Sequence, residues 1–306
     1  MKILLATSKP FATVAVKQIR NVIDTEGYNL VLLENYRDIS EFLTAVADAD
    51  ALIVRSDSVT ARVLDAAKQL RIVVRAGAGF DNIDLNACTE RNVVVMNTPG
   101  QNSNAVAELV FQMMLYQARG GFAGKTGTEL RGKTIGLHGF GNVARCVARI
   151  AGGFGMTVSA FDPFVGDDVF SGCNVRRCDT IEDLYSCSQY ISLHTPATDE
   201  TRKSVGYDLL SVMPENAVLV NTARKEIVDE EALLKIFSER PDFIYLSDVA
   251  PDCSVLFEEK YKGRFIFTAK KMGAQTAEAN INAGIAAARQ IVDYFKTGNE
   301  RFRLNK

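Results

Sequence analysis

The sequence predicts an α/β protein made of two doubly wound parallel-sheet domains with a cleft between them. Three observations carry that prediction. Short apolar runs alternate with helix-spaced segments along almost the whole chain, the pattern of strands joined by crossover helices. A strong breaker, Asn97-Thr98-Pro99-Gly100, interrupts this alternation about a third of the way along. At 306 residues the chain is also long for one core, since a domain usually takes ~100–200 residues.

Before the breaker, strands are expected at residues 3–6, 30–33, 52–54, 72–74 and 93–96, with helix-spaced segments at 11–23, 39–47 and 63–67. The first run, Ile3-Leu4-Leu5-Ala6, is cut short by Ser8, Lys9 and Pro10, which makes it a buried strand and not a secretion signal. A long helix is expected over 104–119, closed by Gly120-Gly121, which suits a C-terminal cap. A second strand series follows at 134–138, 157–161, 190–194, 217–221, 243–247 and 265–267, and an Ala-rich helix over 277–295 closes the chain.

Composition excludes several classes of function. With 47% hydrophobic and 24% charged residues the chain reads as an ordinary globular protein. A net charge of -2 argues against nucleic-acid or membrane-surface partners, which favour clustered Lys and Arg. No apolar run approaches the ~20 residues needed to span a bilayer. With the first run read as a buried strand, a cytoplasmic protein is expected. The six cysteines include no C-x-x-C pair, and Cys173, Cys178 and Cys187 lack the spacing of zinc modules. Reduced structural thiols and no metal are expected.

Gly139-Phe140-Gly141-Asn142-Val143-Ala144 carries G-x-G-x-x-A after a strand and at the opening of a helix. Gly139 permits the tight turn, Gly141 lets the backbone approach a pyrophosphate, and Ala144 allows close helix–strand packing. The helix N-terminus offers N–H groups and partial positive charge to phosphates. Asp162 ends the next strand about 20 residues further on, where a carboxylate binds ribose hydroxyls and repels a 2′-phosphate. The expected cofactor is therefore NAD.

A longer set of ordered motifs surrounds that site: Val54-Arg55-Ser56, Arg75-Ala76-Gly77-Ala78-Gly79-Phe80-Asp81-Asn82-Ile83-Asp84, Asn97-Thr98-Pro99, Ala107-Glu108, Ser192-Leu193-His194-Thr195-Pro196 and Asn221-Thr222-Ala223-Arg224. With these the chain resembles the D-2-hydroxyacid dehydrogenases, and among them the phosphoglycerate dehydrogenases, over nearly its whole length. The resemblance implies a flavodoxin-like substrate domain, residues 1–98 plus about 277–306, around a Rossmann-like cofactor domain, residues 99–276. It also implies a homodimer through the cofactor domains and a small-molecule substrate. Longer members carry a C-terminal serine-sensing module, for which this chain is too short.

The resemblance gives roles to individual residues. Arg224 binds the substrate carboxylate and C2 oxygen, which suits a planar bidentate guanidinium. The N–H groups of Gly77, Ala78 and Gly79 hold the carboxylate, with Ser56 and Asn102 completing the substrate set. His194, Thr195, Pro196, Thr222, Ala223, Asp248 and Gly273 line the cofactor, as Pro163 does beside Asp162. The strand pattern adds an independent argument. Lys9, Arg55 and Arg75 all follow strands of the first domain, at the ends where open α/β sheets bind ligands. Three cations there suit a substrate carrying phosphate and carboxylate together, such as 3-phosphoglycerate. Reduction of glyoxylate or hydroxypyruvate is the alternative within enzymes, and an NAD-sensing corepressor-like module is the alternative outside them.

One departure stands out. Where the family reads P-H-x-G-A-x-T, with histidine as acid/base, this chain reads Lys270-Lys271-Met272-Gly273-Ala274-Gln275-Thr276. Lys271 takes the place of the histidine, as in a lysine subgroup of the phosphoglycerate dehydrogenases. An unperturbed amine, with a pKa of ~10.4, is a poor base at neutral pH, but burial and a neighbouring Lys270 or Arg224 lower it. The glutamate that partners the histidine is missing too. Its ungapped position is Cys253, and Asp252 next to it approaches Lys271 if the loop shifts by one residue. The chain's two histidines, His138 and His194, read as structural or cofactor-shell groups.

Overall fold

The computed structural model describes residues 1–124 and 126–306. It divides into two compact units, Met1–Asn102 with Gln275–Lys306, and Ser103–Ala274. Each is built on a parallel sheet.

The first unit runs β1 (Lys2–Thr7), α1 (Thr13–Thr25), β2 (Asn29–Glu34), α2 (Ile39–Val46), β3 (Ala51–Val54), α3 (Ala61–Ala66), β4 (Ile72–Arg75), α4 (Leu85–Glu90) and β5 (Val94–Asn97). Its strand order, β2-β1-β3-β4-β5, is the flavodoxin-like order, with the switch point between β1 and β3. The near-continuous apolar runs arise because the strands are buried on both faces. Ile3 and Leu5 enter one core with Ala15, Ile19 and Ile23 of α1, while Leu4 and Ala6 enter the opposite core with Phe42 and Val46 of α2.

The second unit runs α5 (Ser103–Ala118), β6 (Thr134–His138), α6 (Asn142–Gly153), β7 (Thr157–Phe161), α7 (Asp167–Gly172), β8 (Arg176–Arg177), α8 (Ile181–Ser186), β9 (Tyr190–Leu193), α9 (Tyr207–Ser211), β10 (Val218–Asn221), α10 (Glu230–Glu239), β11 (Ile244–Ser247), α11 (Ser254–Lys260) and β12 (Phe265–Phe267). The sheet order is β12-β11-β10-β9-β6-β7-β8. Counted from β6, this is the Rossmann order with one strand added, and the order reverses between β6 and β9.

The chain then returns to the first unit as α12 (Ala277–Thr297), whose Ala283, Ala287, Ala288 and Ile291 complete the core against α1. Every expected strand is present, and β8 is additional. Among the described residues no helix is long and apolar enough to cross a membrane.

Candidate active site

At the end of β6 the chain turns at Gly139 with φ of 90°. A Cβ there would lie 3.0 Å from both the His194 carbonyl carbon and Thr195 Cγ2, so the position needs glycine for conformation and for space. A Cβ on Gly141 would meet nothing within 4 Å, which leaves its backbone open to a ligand. Gly141 caps α6 without any side-chain cap, and Ala144 is fully buried. Phe140 stacks on Phe170 in the core, and its N–H donates to Asp162 Oδ2 at 2.8 Å. Asp162 Oδ1 accepts from Phe164 N–H at 2.9 Å, so this acid braces the turn from the exposed segment that begins with Pro163. Asn142 Oδ1 accepts from Arg145, and Val143 packs on the core. Sequence reasoning missed Gly136, where a Cβ would fall 2.6 Å from Ser188 Oγ and 2.7 Å from Ile191 Cδ1. Its signal was the extra glycine within a strand.

His138 is buried in this unit, and His194 is half-buried with its Nε2 enclosed by protein. His138 Nδ1 lies 3.0 Å from the Tyr185 hydroxyl, and burial pushes its pKa down to about 4. His194 is pushed down to about 3, by burial and then by His138. Both are therefore neutral at physiological pH. His194 Nε2, Thr195 Oγ1 and Thr222 Oγ1 are buried without a hydrogen-bond partner among the described residues. They sit just past the carboxyl ends of β9 and β10, beside the switch point. Each such orphan costs ~1–3 kcal/mol, a cost that a polar ligand along these strand ends would relieve. The donor and acceptor set fits the nicotinamide half of a dinucleotide.

The loop after β10 is folded by Asn221. Its Oδ1 accepts from Ala223 N–H at 3.0 Å and its Nδ2 donates to the Arg224 carbonyl at 2.9 Å. The Lys271 amine reaches this loop, donating to the Ala223 carbonyl at 2.6 Å and the Thr222 carbonyl at 3.1 Å. It also lies 3.4 Å from Oδ1 of Asp248, the residue that follows β11. Oδ2 of Asp248 accepts from Gly273 N–H at 3.0 Å. The Lys271 side chain remains 42% exposed, while its amine contacts three protein oxygens. Burial lowers its pKa; Asp248 opposes this and Arg224 adds to it. Arg224 Nη1 donates to the same Ala223 carbonyl at 3.0 Å.

Asp252 does not meet Lys271. Its Oδ1 accepts from Lys225 Nζ at 2.5 Å, and Glu230 takes the N–H groups of Asp252 and Cys253, each at 2.8 Å. The loop is pinned to the start of α10, so the acid expected from this segment is replaced by Asp248.

In the first unit, Arg55 Nη2 donates to Asn280 Oδ1 at 2.6 Å, and its guanidinium lies 4.9 Å from the Phe11 ring centroid. Arg75 Nε donates to the Arg55 carbonyl at 3.0 Å. The Arg75 guanidinium lies over Gly77, where a Cβ would fall 1.5 Å from Nη1. The structure thus brings Arg55 and Arg75 together. The expected trio of N–H donors is not uniform, however. Gly77 N–H donates to Thr98 Oγ1 at 2.6 Å, whereas those of Ala78 and Gly79 have no acceptor among the described residues. Lys9 and Ser56 are exposed, and Asn102 is half-buried. Sequence reasoning missed Asn280 and the buried Asp57, which accepts from Ser8 N–H and Tyr36 Oη, each at 2.7 Å.

Residues 5–305 match the family described as D-isomer specific 2-hydroxyacid dehydrogenase, catalytic domain. The chain belongs to this family. It is 36% identical over 271 residues to the D-3-phosphoglycerate dehydrogenase of Methanocaldococcus jannaschii, covering 82% of this chain and 51% of that protein. The chain thus spans about half the length of that relative. It is 32% identical over 300 residues to the hydroxypyruvate reductase of Thermotoga maritima, covering 89% of this chain and 96% of that protein. Among solved structures, the NAD+-bound 3-phosphoglycerate dehydrogenase of Entamoeba histolytica superposes with a TM-score of 0.88 at 46% identity, covering 100% of this chain and 99% of that one.

Proposed function

We propose that the protein is an NAD-dependent D-2-hydroxyacid dehydrogenase that interconverts 3-phosphoglycerate and 3-phosphohydroxypyruvate. The observation that carries this reading is the Lys271 amine, held at the ends of β10 and β11 beside Asp248 and Arg224. When bound, the nicotinamide supplies the hydride chemistry. The α6 N-terminus with Gly139, Gly141, Asn142 and Val143 would hold its pyrophosphate, and Asp162 its ribose. His194, Thr195, Thr222 and Ala223 would hold its other half, where the unpartnered atoms lie.

In the oxidation, Lys271 as the neutral amine takes the C2 hydroxyl proton; in the reduction, the ammonium returns it. Arg224 pairs with the substrate carboxylate and C2 oxygen. Ala78 and Gly79 offer their open N–H groups to the carboxylate, and Arg55, Arg75 and Lys9 answer the phosphate. The likeness to the full-length Thermotoga maritima relative favours hydroxypyruvate as a second substrate. The deciding experiment is steady-state NADH oxidation with phosphohydroxypyruvate, hydroxypyruvate and glyoxylate, plus NAD reduction with 3-phosphoglycerate at alkaline pH. The phosphorylated acid is expected to give the highest kcat/KM. Equal values would select the second reading, and NAD binding without turnover would select a sensor.

The proposed assembly is a cytoplasmic homodimer through the second unit. The support for a homodimer is the apolar surface at the end of α5, where Leu115 is exposed and exposed Tyr116 packs edge-on to exposed Phe122 at 5.2 Å. Sedimentation equilibrium tests it: a single species at monomer mass would refute it.

A further inference from the structure

Among the described residues Asp248 is the most deeply buried acid, at 1% exposure. An ionised carboxylate in such a place needs hydrogen bonds and a counter-charge. Asp248 has one side-chain contact of each kind: Gly273 N–H on Oδ2 at 3.0 Å and the Lys271 ammonium near Oδ1 at 3.4 Å. Glycine at 273 makes the first possible, because a Cβ there would press to 3.1 Å from Oδ2 and 3.2 Å from Val106 Cγ2.

The lysine end is equally specified. Its three acceptors are the Thr222 carbonyl, the Ala223 carbonyl and Asp248 Oδ1, which matches the three N–H groups of an ammonium. A neutral amine keeps only two N–H groups and a lone pair, so it cannot hold all three. The resting site is therefore shaped around the protonated form. The charged groups facing Lys271 are Asp248 from the end of β11, and Arg224 and Glu226 from the segment after β10. Glu230, the other acid near this loop, is committed to the Asp252 and Cys253 amides.

We propose that Asp248 is the positioning residue of Lys271: its carboxylate, anchored by Gly273 N–H, aims the amine along the ends of β10 and β11 and holds its proton until substrate displaces the contact. This rests on the dehydrogenase reading. It assigns to the acid after β11 the orienting role that the missing glutamate plays for a histidine, and it does so in addition to any contact with the cofactor. The longest of the three contacts is the one to Asp248, so it is the one most readily given up when the amine turns to a substrate hydroxyl.

The test removes the charge with Asp248→Asn and, in case that variant does not fold, with Asp248→Ser. Two profiles are measured on the full chain across pH: kcat/KM for 3-phosphoglycerate oxidation, and the rate of acetic-anhydride labelling at Lys271 read by mass spectrometry. Losing an opposite charge at this distance should move both midpoints to lower pH by about one unit or more. An accompanying NAD titration separates this from loss of cofactor affinity. Labelling needs no turnover, so it decides the inference even if the wild-type chain oxidises nothing, an outcome that would sink the dehydrogenase reading alone. A Lys271 labelling midpoint that stays where it is in wild type overturns the positioning role.

Discussion

Acidification tests the burial of the two histidines, and the result is simple to interpret because the chain has no others. In the unfolded chain both titrate near 6.5; in the folded protein they are pushed down to about 4 and about 3. The unfolded state therefore binds more protons than the folded state at any pH between those values. Stability must fall as pH drops through 6.5, by up to ~1.4 kcal/mol per histidine per unit. From pH 7 to pH 5 the loss is about 2 kcal/mol for each, or ~4 kcal/mol together. Asp38, Asp48, Glu200 and Asp242, whose folded pKa values are lowered, begin at 3.8 or 4.5 and contribute mainly below this window. The assay is urea unfolding at pH 7, 6 and 5, followed by far-UV circular dichroism because the chain lacks tryptophan. The transition that belongs to the second unit should carry the loss, and His138→Gln should halve it. A wild-type loss under about 1 kcal/mol, or one unaltered by the substitution, would refute the reasoning.

Replacing Lys271 with Ala should lower kcat by about 10²–10⁴-fold while leaving the NAD dissociation constant nearly unchanged, as stopped-flow turnover and isothermal titration calorimetry would show. Gly139→Ala places a side chain at φ of 90° against His194 and Thr195, and should destabilise the second unit by about 1–3 kcal/mol in thermal melts while weakening NAD binding. Arg55→Ala should raise KM for the phosphorylated substrate much more than for hydroxypyruvate; an equal rise for both would remove Arg55 from the phosphate site.

The strands were legible because a chain buried on both faces must be apolar along its length: β3 is apolar throughout, and β1 and β10 carry polar residues only at their ends, Lys2, Thr7 and Asn221. The edge strand β8 was not. It consists of Arg176 and Arg177, pairs only with Ser159 and Ala160, and leaves both side chains exposed, so no apolar signal exists. The glycine turn was legible since its spacing follows from a geometric demand. Lys271 stood out against the family pattern, but its partner did not: Asp248 lies 23 residues away and meets it only because the chain returns past β12. Asp252, nearer in a linear count, is held off by Lys225 and Glu230. The Arg55–Asn280 contact spans 225 residues, a separation that no local pattern reports.

The return of α12 to the first sheet has a consequence for synthesis. The apolar face of α1, with Ala15, Ile19 and Ile23, is covered by residues translated after the whole of Ser103–Ala274. Leu304 and Asn305 then donate to and accept from Val95 in β5, and Asn305 also binds Val93 and Thr89. On the ribosome the first sheet must wait, half-clad, on the order of ten to forty seconds at about 5–20 residues per second. The second unit, continuous in sequence, can close in that interval. The unit translated second can thus be completed before the one translated first, and the nascent first sheet is the stage at which a chaperone has most to protect.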